Sequence, residues 1–294
     1  MSPMSLIGGG KGAKAVDRVA SVVFWGAGCA TIALVLWLLY TILSKGLPYI
    51  TIDFLTAVPD EIMAGGGIGP VLFNSFYVLF LSLLFSIPVG IGAGIYLAEY
   101  APDTKMTAFL RTCVEGLASV PSIVFGLVGL ALFVEVIGIG LTILGGAVSL
   151  AFLNLPVLVR TTEEAVRAVP QEIRSASYAL GATKFQTIMK AVIPVAMQGI
   201  VTGISLTAGR AYGESAVIIL TAGVTSSGVM WDFNLFSPGA TLSVHLWYIQ
   251  SEAIVEDARQ IAEKSAAVLV FVVLFINLLF RIPLWLNHRT TKTH

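Results

Sequence analysis

The stretch "ASYALGATKFQTIMKAVIP", Ala176 to Pro194, interrupts a chain that is otherwise mostly apolar. Apolar runs lie on both sides of it, so it reads as a polar hairpin held between two membrane spans. Upstream, Pro170 suits the first turn of a helix, where a missing N–H would be unsatisfied in any case. Gly181 can take the left-handed conformation that ends such a helix. Thr183 is a candidate N-cap for a second helix, and Pro194 opens the next span. Ala176, Ala179 and Leu180, with Ile188, Met189 and Val192, give the pair an apolar surface. That surface either lies on lipid headgroups or forms a rigid plug held out for a partner on the cytoplasmic side.

Composition sets the environment. Of 294 residues, 56% are hydrophobic and 12% charged, against about 25% charged in a soluble domain. A bilayer core about 30 Å thick needs roughly 20 apolar residues in a helix. Six runs meet that need: Val19 to Leu43, Pro70 to Ala98, Gly116 to Ile137, Gly140 to Val159, Val195 to Thr221 and Ala266 to Leu286. The expected class is an all-α integral membrane protein with six transmembrane helices. The first run is too long for a cleaved signal. Zero net charge hides an asymmetry. With a cytoplasmic N-terminus, every Lys and Arg falls in an inner segment, counting Arg281 at the inner end of the last run, except Lys45, Arg259 and Lys264 outside and Arg210 within a span. The positive-inside rule then puts both termini and the hairpin in the cytoplasm.

The chain divides into a basic N-terminal arm over 1–18, a first span over 19–43 and a core over 70–287. That core includes the cytoplasmic loop 160–194 and an outer loop 222–265. "GGGKGA" at Gly8 to Ala13 lacks the spacing of a phosphate-binding P-loop, and reads as a basic arm near anionic lipid. Gly90 and Gly94 have the small-xxx-small spacing that admits a neighbouring helix. In "VPSIVFGLVGL", Val120 to Leu130, Pro121 and the glycines serve helix packing or break a helix beside a cavity. "LSVHLWYIQ", Leu242 to Gln250, reads as interfacial, with Trp247 and Tyr248 as headgroup anchors. Cys29 and Cys113 lie apart, and the histidines do not cluster, so neither a disulfide framework nor a metal site is expected.

Arg210 and Glu214 stand inside the fifth run. A central arginine costs on the order of 2.5 to 3.5 kcal/mol to insert and needs a partner or a polar cavity. Spacing of four puts Glu214 on the same helical face, beside Gly199, Gly203 and Gly213. One reading is a mutual salt bridge buried against another helix. Its weakness is order, since helices favour the acid before the base. The other is an anion pathway, in which the planar guanidinium offers paired donors to oxygens. Glu214 would then hold the arginine between passages, or pair across a subunit boundary.

"SASYALGA" at Ser175 to Ala182, followed by "VIP" with Gly181 and Pro194 thirteen residues apart, resembles the EAA loop of ABC importer permeases. "GIYLAEYAP" (Gly94 to Pro102), "VPSIVFGL" (Val120 to Leu127), "VRTTEEAVRAVP" (Val159 to Pro170) and "GRAYGESA" (Gly209 to Ala216) look like the phosphate-specific Pst importers, and like their PstA permeases more than PstC. Ser175 departs from the family, standing where the motif usually has Glu. Gly209 and Ser215 depart mildly. The resemblance implies a type I ABC importer permease fold. It implies ATPase coupling through Ser175, Ala176, Ala179, Gly181, Ala182 and Pro194, and a substrate pathway through Arg210 and Glu214. It also implies no cofactor on this chain: ATP and Mg2+ would be bound by two copies of a PstB-like ATPase. A PstC-like permease, an extracytoplasmic PstS-like phosphate-binding protein, inorganic phosphate and the bilayer complete the partners, with no nucleic acid and no enzymatic step. A permease for another small oxyanion is the nearest alternative. A secondary anion transporter would predict inverted repeats with matched broken helices, and no second copy of the Arg210 span is present. A membrane scaffold could own the hairpin but has no use for Arg210.

Overall fold

The computed structural model describes residues 11–60, 64–252 and 255–290. Residues 1–10 of the basic arm, and Lys292 and His294 at the other end, lie outside the described residues. Every named element among the described residues is helical. Helix α1 (Lys11–Gly46) is followed by a short α2 (Ile52–Thr56), capped by the Thr51 hydroxyl. Then come α3 (Gly69–Ile95), extended by a π turn to Tyr100, and α4 (Lys105–Ser119). Next are α5 (Ser122–Gly129), extended by a π turn to Val136, and α6 (Ile143–Arg167). The hairpin follows as α7 (Gln171–Ala179) and α8 (Lys184–Thr187), which runs through a π turn into α9 (Ile193–Tyr212). Three elements complete the chain: α10 (Ala216–Thr221), α11 (Leu242–Ser251) and α12 (Ala258–Thr290). Five helices are long and apolar enough to cross a membrane, and a sixth crossing is reached if α4 and α5 count as one bent span.

The bundle centres on α3 against α6. Lipid tails are as apolar as leucine, so helices in a bilayer associate by close packing rather than by hydrophobic transfer. The predicted Gly90 and Gly94 pair supplies that packing. A Cβ on Gly90 would lie 2.7 Å from the Cβ of Leu158, and one on Gly94 would lie 2.7 Å from the carbonyl oxygen of Val159. Ile68, Val71, Val78, Ile143, Leu150 and Ile218 fill one buried cluster. A second, of Val166, Val169, Val192, Ala196 and Ile200, seats the base of the hairpin.

Several spans differ from expectation. The run Gly116 to Ile137 is not one helix: α4 ends at Ser119, and α5 departs at 95°. Val120 is extended, as the residue before a proline is driven to be, with ψ of 134°. Pro121 therefore breaks the helix, and Gly126 and Gly129 admit α10 beyond the break. The fourth span begins at Ile143 and continues to Arg167, so the first part of loop 160–194 is still helix. The last span begins earlier than expected, at Ala258. Helix α11 is not an interfacial strip. Leu242, Ser243, Val244, His245 and Ile249 are buried in the bundle, which leaves only Trp247 well exposed among its aromatics.

Candidate functional site

The hairpin is sealed at both of its inner ends. Helix α7 stops because Gly181 is left-handed, with φ of +79°. Its neighbours then complete a Schellman motif: Ala182 N–H donates to the Ser177 carbonyl at 3.2 Å and Gly181 N–H to that of Tyr178 at 2.9 Å. Thr183 starts α8 at once. Its hydroxyl accepts from Gln186 N–H, and the Gln186 side chain accepts from Thr183 N–H, a reciprocal capping box. A 2.9 Å hydrogen bond between the Ser177 and Thr187 hydroxyls ties the two legs. A turn with its backbone groups satisfied this way is a stiff knob. Ser175, Ala176, Ala179 and Gly181 are exposed on it, Ala182 is half-buried, and Leu180 at the tip is 89% exposed.

Pro194 is not part of that knob. From Lys184 to Tyr212 the chain is one continuous helical stretch of 29 residues, and Pro194 sits about 16 Å along it from Thr183. A proline inside a helix lacks a donor and crowds the carbonyl four residues back. Here the preceding turn, Ile188–Val192, is a π turn, whose wider winding accommodates the ring. The expected second short helix is thus the root of a spanning helix.

Arg210 and Glu214 also differ from expectation. Helix α9 ends at Tyr212 and α10 starts at Ala216, so Glu214 lies in a break rather than on the arginine's face. Among the described residues no carboxylate pairs with Arg210, which is exposed in the last turn of α9. The Glu214 carboxylate instead accepts from Ala216 N–H at 3.2 Å, and its carbonyl accepts from the Ser243 hydroxyl at 2.8 Å. The mutual salt bridge is therefore not formed.

The depth of Arg210 follows from helix contacts. Gly203 of α9 faces Thr161 of α6, whose Cβ would lie 2.9 Å from a Cβ on the glycine. Toward the hairpin, α6 soon reaches Glu163, part of a charged belt that marks the edge of the apolar bundle. There Glu163 pairs with Arg111 at 2.7 Å and Arg167 at 3.2 Å, and Arg174 pairs with Glu99 at 2.7 Å. Arg210 lies in the opposite direction, about 14 Å from the Glu163 level along the axis. That is near half of the roughly 30 Å apolar core. From Val169 and Val195 near the hairpin, across the Glu163 level, to Leu206, α6 and α9 border a groove of about 520 Å³ in which Thr161, Glu164, Gln198 and Thr202 are the polar side chains of a largely apolar lining.

Sequence reasoning missed the charged belt. Glu99 and Arg174 are 75 residues apart and Arg111 and Glu163 are 52, and no spacing rule joins them. It also missed the end of α9, although Gly213 followed by Ser215 is a stop and start signal.

The family described as "Binding-protein-dependent transport system inner membrane component" matches residues 90–292. A probable ABC transporter permease protein, YqgI of Bacillus subtilis, is 42% identical over 93% of this chain and 96% of its own length. The phosphate transport system permease protein PstA of Xylella fastidiosa is 35% identical over 81% of this chain and 82% of its own. Among solved structures, a chain of a bacterial ABC transporter involved in import of the acidic polysaccharide alginate aligns with a TM-score of 0.59. It is 16% identical and is matched over 90% of this chain and 97% of that one. The MetNI methionine ABC transporter in an inward-facing form aligns with a TM-score of 0.54 at 22% identity, over 73% and 91%. At those identities the likeness speaks for the fold, that of a type I importer permease. A helical bundle with an exposed, doubly capped hairpin, matched by that family over most of its length, leaves one assignment: the chain belongs to the binding-protein-dependent transport system inner membrane component family, as a multi-pass permease of an ABC importer.

Proposed function

We propose that this permease is the PstA-like half of a heterodimeric phosphate importer, with the α7–α8 knob docking into a PstB-like ATPase. The observation that carries the cargo side is Arg210. An arginine with no carboxylate partner among the described residues, exposed at half depth, cannot face lipid without a cost of several kcal/mol. Its face therefore meets a second permease or a water-filled path, and its planar fork suits an oxyanion. Glu214 caps the start of α10 and holds the break in α9 that presents the arginine. The groove between α6 and α9, with Thr161, Glu164, Gln198 and Thr202 along it, continues the route toward the knob. Relatives that are named phosphate transport system permease proteins, at 33–35% identity, support phosphate as the cargo in preference to another oxyanion. ATP and Mg2+ belong to the ATPase, and a PstC-like permease and a PstS-like receptor complete the assembly. Phosphate uptake in cells deleted for this chain, with and without its return, tests the cargo. Loss of sulfate or molybdate uptake instead of phosphate uptake would reassign it.

Orientation follows from the charge asymmetry, which puts the knob in the cytoplasm and the 222–265 segment outside. Two exposed positions report on it: Leu180 at the knob's tip and Val229 in the outer segment. In a protein with Cys29 and Cys113 replaced by serine, a cysteine at Val229 should react with a membrane-impermeant thiol reagent in intact cells. One at Leu180 should react only in inverted vesicles. Labelling of Leu180→Cys from outside would reverse the topology.

A further inference from the structure

No residue of α7 is fully buried, and its apolar contact with the cluster at the hairpin's base is the half-buried Ile173. Among its charged side chains, Arg174 reaches back into the bundle. Arg174 is 11% exposed and its partner Glu99, in the π turn that ends α3, is 9% exposed. All three guanidinium nitrogens are engaged. Nε and Nη2 donate to Glu99 Oε1 at 3.1 and 2.7 Å, Nη2 also donates to the Val166 carbonyl at 2.9 Å, and Nη1 donates to the carbonyls of Val169 and Pro170. Val166 and Val169 lie where α6 ends, and the last carbonyls of a helix have no partner within it. A cation there is favoured by the helix dipole as well. The second leg of the hairpin is met by the same turn, since Lys184 Nζ lies 4.7 Å from the centre of the Tyr100 ring.

We propose that Glu99 and Arg174 are positioning residues that lock the angle of α7 to α3 and α6. A push on the knob then moves both spanning helices and is not absorbed in the short link between α6 and α7. The proposal rests on the reading that the knob docks an ATPase. Lysine at 174 offers one nitrogen and cannot serve Glu99 and both ends of the link together. A buried ion pair missing one partner leaves an uncompensated charge, so Glu99→Gln and Arg174→Gln are each paired with the double variant, which leaves none.

The test has two arms. Spin labels on cysteines at Leu180 and Thr112, both exposed, report the knob's position against the bundle in the purified permease. The assembled complex reports phosphate transported per ATP hydrolysed. Each single variant should broaden the distance distribution, and the double variant should broaden it no further, as for one shared contact. Transport per ATP should fall about five- to tenfold, with ATPase retention and thermal midpoint near wild type in the double variant. A wild-type distance distribution in both single variants would overturn the proposal. So would a broadened distribution with unchanged transport per ATP. If wild-type protein captures no ATPase while the single variants still broaden, the lock stands and the docking reading falls.

Discussion

Gly181→Val is expected to leave the permease inserted and to cost about tenfold or more in its hold on the ATPase, with phosphate uptake falling in step. The reason is conformational. At φ of +79° a β-branched residue is a backbone outlier, and strain of about 1 to 3 kcal/mol would pull the turn toward another geometry. Crowding is not the cause, because a Cβ at Gly181 would meet nothing within 4 Å. That separation gives the control: Gly181→Asn adds more atoms than alanine yet tolerates the left-handed region, so it should stay near wild type. If valine and asparagine behave alike, bulk at the docking surface explains the loss and backbone geometry does not. If both retain the ATPase fully, the knob belongs on the headgroups. Quantitative co-purification from solubilised membranes, beside radiolabelled phosphate uptake, distinguishes these results.

The hairpin was readable because its determinants are local. Gly181 and Thr183 act through bonds within a few residues, and Thr183 with Gln186 even carries the capping-box spacing. That Gly90 and Gly94 admit a neighbouring helix was readable for a related reason: small residues at helical spacing have few uses other than close approach; that the neighbour is α6 came from the structure. What spacing cannot supply is the identity of a distant partner. The Glu99–Arg174 and Arg111–Glu163 pairs join segments whose nearness is a result of the fold. The misreading of Arg210 with Glu214 has a different origin. Mean hydropathy stays high from Val195 to Thr221 despite Arg210 and Glu214, and hydropathy alone does not register that Gly213 lets the helix stop. The same insensitivity joined α4 to α5 across Pro121, where a 95° turn separates a helix with only Thr107 buried from an apolar one.

Arg210→Lys is expected to assemble with its ATPase and receptor and yet to lose about 10- to 100-fold in phosphate uptake per assembled complex. Charge is retained in this variant, so the loss measures the planar fork. A hydrogen bond to a charged group contributes about 1.5 to 3 kcal/mol, the guanidinium fork makes two in parallel where an ammonium acts as a point charge, and each 1.4 kcal/mol is about tenfold. The structure sharpens the test because Glu214 is not the arginine's partner within this chain. A salt bridge between them would make removal of either equivalent. Here Glu214→Gln keeps an oxygen for Ala216 N–H and should lose only a few-fold in uptake, while Arg210→Gln should lose at least as much as Arg210→Lys. Matched losses in Glu214→Gln and Arg210→Gln would restore a functional pair, formed across the subunit boundary or in another state of the cycle. Near-normal uptake by Arg210→Lys would reduce the arginine to a neutralising charge. Uptake that falls only in proportion to lost assembly would move Arg210 out of the pathway and into the interface with the second permease. Receptor-stimulated ATP hydrolysis, measured on the same preparations, completes the distinction. A pathway residue should leave that stimulation intact while phosphate stalls, whereas an interface residue should lose both together.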